Sequence, residues 1–352
     1  MAKRVKRSGL RLENRLQTSL QLESLPDEVL LKVFSYFEIQ ELLRCIHVSK
    51  RIRRVCNDKS LWKIVDLSDT KGTKMKVKAE FIKAIFENDC QDLDLRNSEI
   101  DGSIKLSKAS KLKYLDLRCY ASKRFLHEIL LSCCSLQGLM HDCQYKSNTV
   151  FQKFCSQNCQ TLRALNFQAT NWLSTKSVQV IVTKCTELRE ISLECFEPGL
   201  DQNTLTQLVS GLSPNIKKLS LGGNDEVTDE HIETLVSRCN KITALDIGHW
   251  GYNRQFSIFG NSSLTNNAIT SILNHLKNLT ELDITGCPNI KLEKVLELES
   301  LPKLQVLNYG LEDLSFQYYD EMPGLMKKLP HLIINKKVDG NVISVGGGIA
   351  KI

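Results

Sequence analysis

Several things are missing from this chain of 352 residues, and each absence removes a class of function. No apolar run approaches the roughly 18 residues that a membrane-spanning helix requires. The opening segment MAKRVKRSGLRLENR has no apolar core of the kind a secretory signal carries. A soluble, intracellular protein is therefore expected, cytoplasmic and/or nuclear, with no membrane partner. The closing GGGIAKI has no cysteine four from its end, which speaks against a prenyl anchor. No C-x-x-C pair occurs, so a structural zinc site is not expected. Neither a phosphate-cradling glycine loop nor a paired-carboxylate acid–base signature stands out. The expectation is no metal, no cofactor and no catalytic residue, in a protein that is not an enzyme.

What is present is an ordinary globular composition, 42% hydrophobic. The thirteen cysteines are odd in number and scattered, which argues for reduced thiols rather than a disulfide framework. The formal charge of +7 is unevenly placed: residues 1–64 carry 14 Lys/Arg against 7 Asp/Glu, while residues 65–352 carry 33 of each. Residues 1–21 read as a solvated basic arm. Lys3, Arg4, Lys6 and Arg7 also fit a nuclear-import signal or a nucleic-acid contact, although short basic clusters at termini are common and nucleic acid is not the expected partner.

The body of the chain repeats. Aligned on L-x-L, the positions Leu93, Leu115, Leu139, Leu165, Ile191, Leu219, Leu245, Leu282 and Leu307 are separated by 22, 24, 26, 26, 28, 26, 37 and 25 residues. Alternating apolar residues such as Leu115 and Leu117 describe short strands with one buried face. Ahead of most strands apolar residues recur at i, i+3, i+4 and i+7, one face of a helix. The sets begin at Leu126, Val178, Leu205, Ile232, Ile269 and Met322, and Thr228 before DEH predicts a helix N-cap. One helix and one strand cannot bury their own apolar faces, so neighbouring units must stack into a solenoid. Over roughly residues 80–335 the chain resembles the cysteine-containing class of leucine-rich repeats, with units such as VTDEHIETLVSRCNKITALDI. The resemblance weakens at LQGLMHDC, where His141 takes a position normally apolar, and at 96–111, too short for a full helix.

Residues 22–67 do not fit the repeat. Pro26 to Phe37 reads as a helix, with Asp27 and Glu28 favoured at its positive end. Further helices are expected near Glu41–Ile46 and Lys50–Cys56, closed by Leu61 and Trp62. About 45 residues is too little for a well-isolated core, so this module either caps the first repeat or meets a partner. The blocks LPDEVLLKVFSYF, ELL, VSKR and SLW resemble the F-box. That resemblance implies docking on the Skp-type adaptor of a cullin-RING ubiquitin ligase. It implies an adaptor-contacting set of Leu25, Pro26, Val29, Leu30, Val33, Phe34, Leu42 and Val48. Ile52 stands where many family members have tryptophan, which leaves less apolar area at that site.

The expected fold class is therefore α/β: a short three-helix F-box (22–67), then a curved leucine-rich-repeat solenoid (68–335) with strands concave and helices convex, and a tail (336–352). Cys133, Cys185 and Cys239 share a helix register with Leu276 and Leu329, so they are read as packing residues rather than ligands or nucleophiles. Residues alternating with the strand leucines face the groove and form the expected client surface: Tyr114, Asp116, Arg118, Glu190, Glu194, Asp246 and Asp283. Acids outnumber bases along the strands, which suits a client with a basic or mixed-charge face. The 37-residue step holds Trp250, Tyr252, Phe256 and Phe259, read as a client-binding loop or as aromatics folded over the rim. Taken together with the resemblance, these features imply the substrate-recognition subunit of an SCF-type E3 ubiquitin ligase. A leucine-rich-repeat scaffold or inhibitor acting outside a ligase is the alternative.

Overall fold

The computed structural model describes residues 22–68, 76–106, 111–142, 146–168, 170, 172–195, 199–248, 261–309, 333–338 and 341–345. The chain divides into two units, Met1–Trp62 and Lys63–Ile352.

In the first unit, helix α1 (Asp27–Phe34) starts directly after Pro26, whose carbonyl accepts the N–H of Leu30 at 3.0 Å. It is one turn shorter than the sequence suggests. Ser35 ends it by donating its hydroxyl to the Lys32 carbonyl at 2.7 Å, and Phe37 lies beyond the helix with its ring edge-on to Phe34 at 5.3 Å. Helix α2 (Ile39–Cys45) begins earlier than expected because Glu38 and Glu41 form a capping box. Helix α3 (Lys50–Cys56) is capped by Ser49, which accepts the N–H of Ile52. Arg51 and Arg54 of α3 reach back to Asp27, each with an N···O distance of 2.6 Å, and Arg51 also donates to the Leu25 carbonyl. The Arg51 hydrogen bond holds the Asp27 carboxyl below its ordinary range. Leu30, Phe34, Leu42, Ile52, Val55 and Cys56 form the core. Ile52 is fully buried, so isoleucine fills its site. Trp62 closes the module, donating its indole N–H to the Cys56 carbonyl at 2.8 Å.

The second unit is built on one long sheet. Strands β1 (Ile64–Asp66), β3 (Asp92–Asp94), β5 (Tyr114–Asp116), β6 (Gly138–His141), β7 (Ala164–Phe167) and β8 (Glu190–Leu193) run parallel in that order. Strands β9 (Lys218–Ser220), β10 (Ala244–Asp246), β11 (Glu281–Asp283), β12 (Val306–Asn308) and β13 (Ile333–Val338) continue them, and β14 (Asn341–Val345) closes the series antiparallel to β13. The nine aligned residues from Leu93 to Leu307 stand directly opposite one another along the ladder. The structure adds a rung at each end, Val65 and Ile334. Residues 64–66, read from the sequence as the end of the front module, are thus the first strand of the sheet. A separate pair, β2 (Lys76–Lys78) with β4 (Glu99–Asp101), lies outside the ladder.

Helices α4 (Ala79–Glu87), α5 (Lys123–Ser132), α6 (Asn148–Asn158), α7 (Thr175–Lys184), α8 (Gln202–Gly211), α9 (Asp229–Arg238), α10 (Asn266–His275) and α11 (Leu292–Leu296) precede β3 and then β6 to β12 in turn. Helices α5 to α10 begin at Ser122, Ser147, Ser174, Asp201, Thr228 and Thr265, each accepting a main-chain N–H through its side-chain oxygen. The register set starting at Met322 lies outside the described residues. Helix α6 was not foreseen, because the last place in its register is polar: Phe151, Phe154 and Cys155 are followed by Asn158. Asn158 is 1% exposed and fully occupied. It accepts the N–H of Leu136 at 2.8 Å and donates to the carbonyls of Cys133 and Phe154 at 3.0 Å. An asparagine can hold a core position only when its polar atoms are paired in this way.

Candidate functional site

The front module offers two kinds of apolar side chain. Leu30, Phe34 and Leu42 are 0%, 0% and 3% exposed, so they hold the module together. Leu25 and Val33 are half-buried, and Pro26 is exposed. Val29 and Val48 are 42% and 65% exposed. Tyr36, which sequence reasoning passed over, is 74% exposed, with the Lys32 ammonium 5.0 Å from its ring centre. Its signal was an aromatic outside the helix stripe, in the segment that leaves α1. Within the implied adaptor set three members are core, and Val29, Val48 and Tyr36 are the large apolar side chains most open to water among the described residues 25–62.

On the sheet, the residue after each ladder position faces the same way from strand to strand, so Asp66, Asp94, Asp116, Met140, Asn166, Ser192, Ser220, Asp246, Asp283 and Asn308 form one row. Much of this row is engaged internally. Asp116 is buried and paired with Arg118 at 2.6 Å, while Asp94 pairs with Arg96 at 2.7 Å. Asp246 accepts from the Gly248 N–H and the Ser220 hydroxyl at 3.0 and 2.8 Å. Asp283 accepts from the Thr285 N–H and the Asn308 amide at 2.9 and 2.8 Å. A Cβ at position 248 would lie 2.6 Å from the Asp283 carboxylate, so glycine is what lets that carboxylate sit there. Burial and the neighbouring Asp283 push the Asp246 carboxyl up to about 8.

Three candidate residues remain more open. Tyr114 is 47% exposed, lies across Gly138 and donates its hydroxyl to the Gln137 side chain at 3.1 Å. Glu190 stands 3.6 Å from Lys218, and Glu194 is half-buried and accepts from the Ser192 hydroxyl at 3.1 Å. Trp250, Tyr252, Phe256 and Phe259 lie outside the described residues.

Nine of the twelve described cysteines are buried, while Cys45, Cys134 and Cys159 are half-buried. Cys133, Cys185 and Cys239 end α5, α7 and α9 at the place where Leu212 and Leu276 end α8 and α10, and all five are at most 2% exposed. Burial pushes the thiols of Cys119 and Cys133 up to about 12 and that of Cys239 up to about 11, far from the thiolate a nucleophile or metal ligand needs. Among the described residues no group of three His, Cys, Asp or Glu side chains is placed to hold a metal ion, and no helix is long and apolar enough to cross a membrane. His141, the irregular rung, is 1% exposed and stacks on Phe167 at 5.4 Å. Desolvation pushes its imidazole down to about 4, so it packs as a neutral ring.

A three-helix module with apolar side chains left in water, ahead of a helix–strand ladder, defines the class: a leucine-rich-repeat protein with an F-box-like front. The family model described as the SKP2 LRR domain matches residues 80–343, and the F-box-like model matches residues 22–68. The chain belongs to the SKP2-type leucine-rich-repeat family. It is similar to mouse lysine-specific demethylase 2B, 25% identical over 245 residues, which is 62% of this chain but 17% of that protein. The chain therefore corresponds to a small part of that relative's length. Among solved structures it is similar to the yeast Rad7 and Elc1 complex, with 14% identity, 90% of this chain and 93% of that chain covered, and a TM-score of 0.47. It is also similar to the leucine-rich repeat-containing protein LegL7 from Legionella pneumophila, with 15% identity, coverage of 82% and 89%, and a TM-score of 0.45.

Proposed function

We propose that this protein is the substrate-recognition subunit of an SCF-type E3 ubiquitin ligase, promoting the ubiquitination and proteasomal degradation of a bound protein client. The observation that carries the reading is the succession of an F-box-like module and SKP2-type repeats in one chain. Val29, Tyr36 and Val48 supply apolar surface for a Skp-type adaptor, and through it for a cullin; burying such a side chain is worth roughly 1.5–3 kcal/mol. The groove side of the sheet receives the client, with Tyr114 and Glu190 as the accessible members of the surface. The chain performs no transfer chemistry itself. Holding the client beside the charged conjugating enzyme raises its effective concentration there.

The test is affinity purification with mass spectrometry from cells with the proteasome blocked, comparing wild type with Val29→Asp plus Val48→Asp. Adaptor and cullin should be present with wild type and lost with the variant, while client proteins are kept. A wild-type sample without adaptor or cullin overturns the ligase reading.

A further inference from the structure

The body of the chain is electrically neutral, with 33 bases and 33 acids over residues 65–352, yet these charges are sorted by position along the strands. The residues entering successive strands are linked main chain to main chain. Arg163 donates its N–H to Gln137, Arg189 to Arg163, Lys217 to Arg189 and Thr243 to Lys217, at 2.7–2.8 Å. Arg163, Arg189 and Lys217 therefore stand one strand apart, at steps of about 4.8 Å. Exposed Lys241 and half-exposed Lys218 extend the same edge.

The local balance leaves positive charge uncompensated. Arg163 and Arg189 share one carboxylate, Glu187, each at 3.5 Å. Lys218 is 3.6 Å from Glu190, Lys241 reaches only the neutral Asn215 side chain, and Lys217 has no carboxylate within ion-pair distance among the described residues. Where the strands leave the sheet the sign reverses, with Asp142, Glu194, Asp246 and Asp283, and the arginines there are taken by carboxylates of their own.

We infer that the strand-entry edge of β7 to β10 is a docking surface for an acidic protein segment, a stretch of glutamate or aspartate lying across the strands. The inference rests on the proposal that the solenoid holds a protein client, and it adds the chemistry of one part of that client. The three strand steps span about 14 Å, which about five extended residues cover. Glu187 and Glu190 lie within the cationic row, where they repel a continuous phosphate backbone. A segment whose carboxylates alternate with neutral residues places those neutral residues over them, so a peptide is the better fit than a nucleic acid.

The test uses purified full-length chain and a fluorescein-labelled peptide of about ten residues with glutamates alternating with serine, read by anisotropy. Wild type should bind it, and more weakly as salt rises. Lys217→Glu with Lys241→Glu should weaken binding about tenfold, while the same charge change on outer helices, Lys153→Glu with Lys176→Glu, should leave it unchanged. Arg163→Gln with Arg189→Gln is the milder pair should charge reversal impair folding, and it should reduce binding severalfold. No binding by wild type, equal loss from the edge and outer variants, or tighter binding of a single-stranded oligonucleotide than of the peptide each overturns the inference. Adaptor capture is read separately, so a chain that binds the peptide without binding an adaptor overturns the ligase reading and leaves this one standing.

Discussion

In the front module three helices of eight, seven and seven residues share one small core, and Leu30, Phe34, Leu42 and Ile52 all sit in it. In the solenoid each buried residue answers mainly to the units on either side, because strands pair with the next strand and helices pack on the next helix. The first arrangement has no spare parts. The second distributes its stability, so that damage should stay near the place where it is made.

The widest separation should come from Leu30→Ala with Phe34→Ala. Each removes a fully buried side chain at a cost of roughly 2–5 kcal/mol, enough to unfold a core of this size. Circular dichroism and limited proteolysis should show the module lost and the repeats intact. Adaptor loss in that variant would report unfolding, which is why the exposed pair Val29 and Val48 is the better probe of docking.

Asn158→Ala should cost about 3 kcal/mol, since it strips partners from the Leu136 N–H and the Cys133 carbonyl. Hydrogen exchange should rise around α5, α6 and β7 and little elsewhere; a uniform rise would break the contrast drawn between the two regions.

Asp246 provides a pH-dependent test. Its folded pKa of about 8 exceeds the ordinary value near 3.9, so the folded chain holds the extra proton between them. That contribution is fully present below about pH 4 and declines as pH rises through about 8. Asp246→Asn keeps the acceptor for Gly248 and removes the charge. Its melting temperature should match wild type near pH 4 and rise progressively above it as pH climbs from about 4 to about 8. The smallest effect on stability is expected from Val29→Asp with Val48→Asp, which should shift melting by less than about 1 °C while abolishing adaptor capture.

Much of the fold was legible because two periods coincide: alternation along the strands, and i, i+3, i+4, i+7 along the helices. Together they placed the nine central rungs and the cysteine register. Val65 was missed because its V-D-L was read with the front module, and Ile334 because Lys336 stands where the second apolar residue of L-x-L belongs. Helix α6 was missed because Asn158 breaks an apolar pattern while satisfying its hydrogen bonds. The groove side was harder to read. Alternation states which way a side chain points, and Asp116, Asp246 and Asp283 do point with the row. It does not state what lies within reach, and those three carboxylates are held by Arg118, Ser220, Gly248, Thr285 and Asn308. The front module posed the same difficulty in another form: resemblance named a set, and burial divided it.

Leu245 pairs with Leu282 across a step of 37 residues as squarely as Leu219 pairs with Leu245 across 26. By loop-closure entropy the extra length costs only about 0.3 kcal/mol. The ladder thus works as a ruler that counts strands and ignores the length of chain between them. Such a protein can take on or discard surface material at any turn, and so come to read a different client, without renegotiating its architecture.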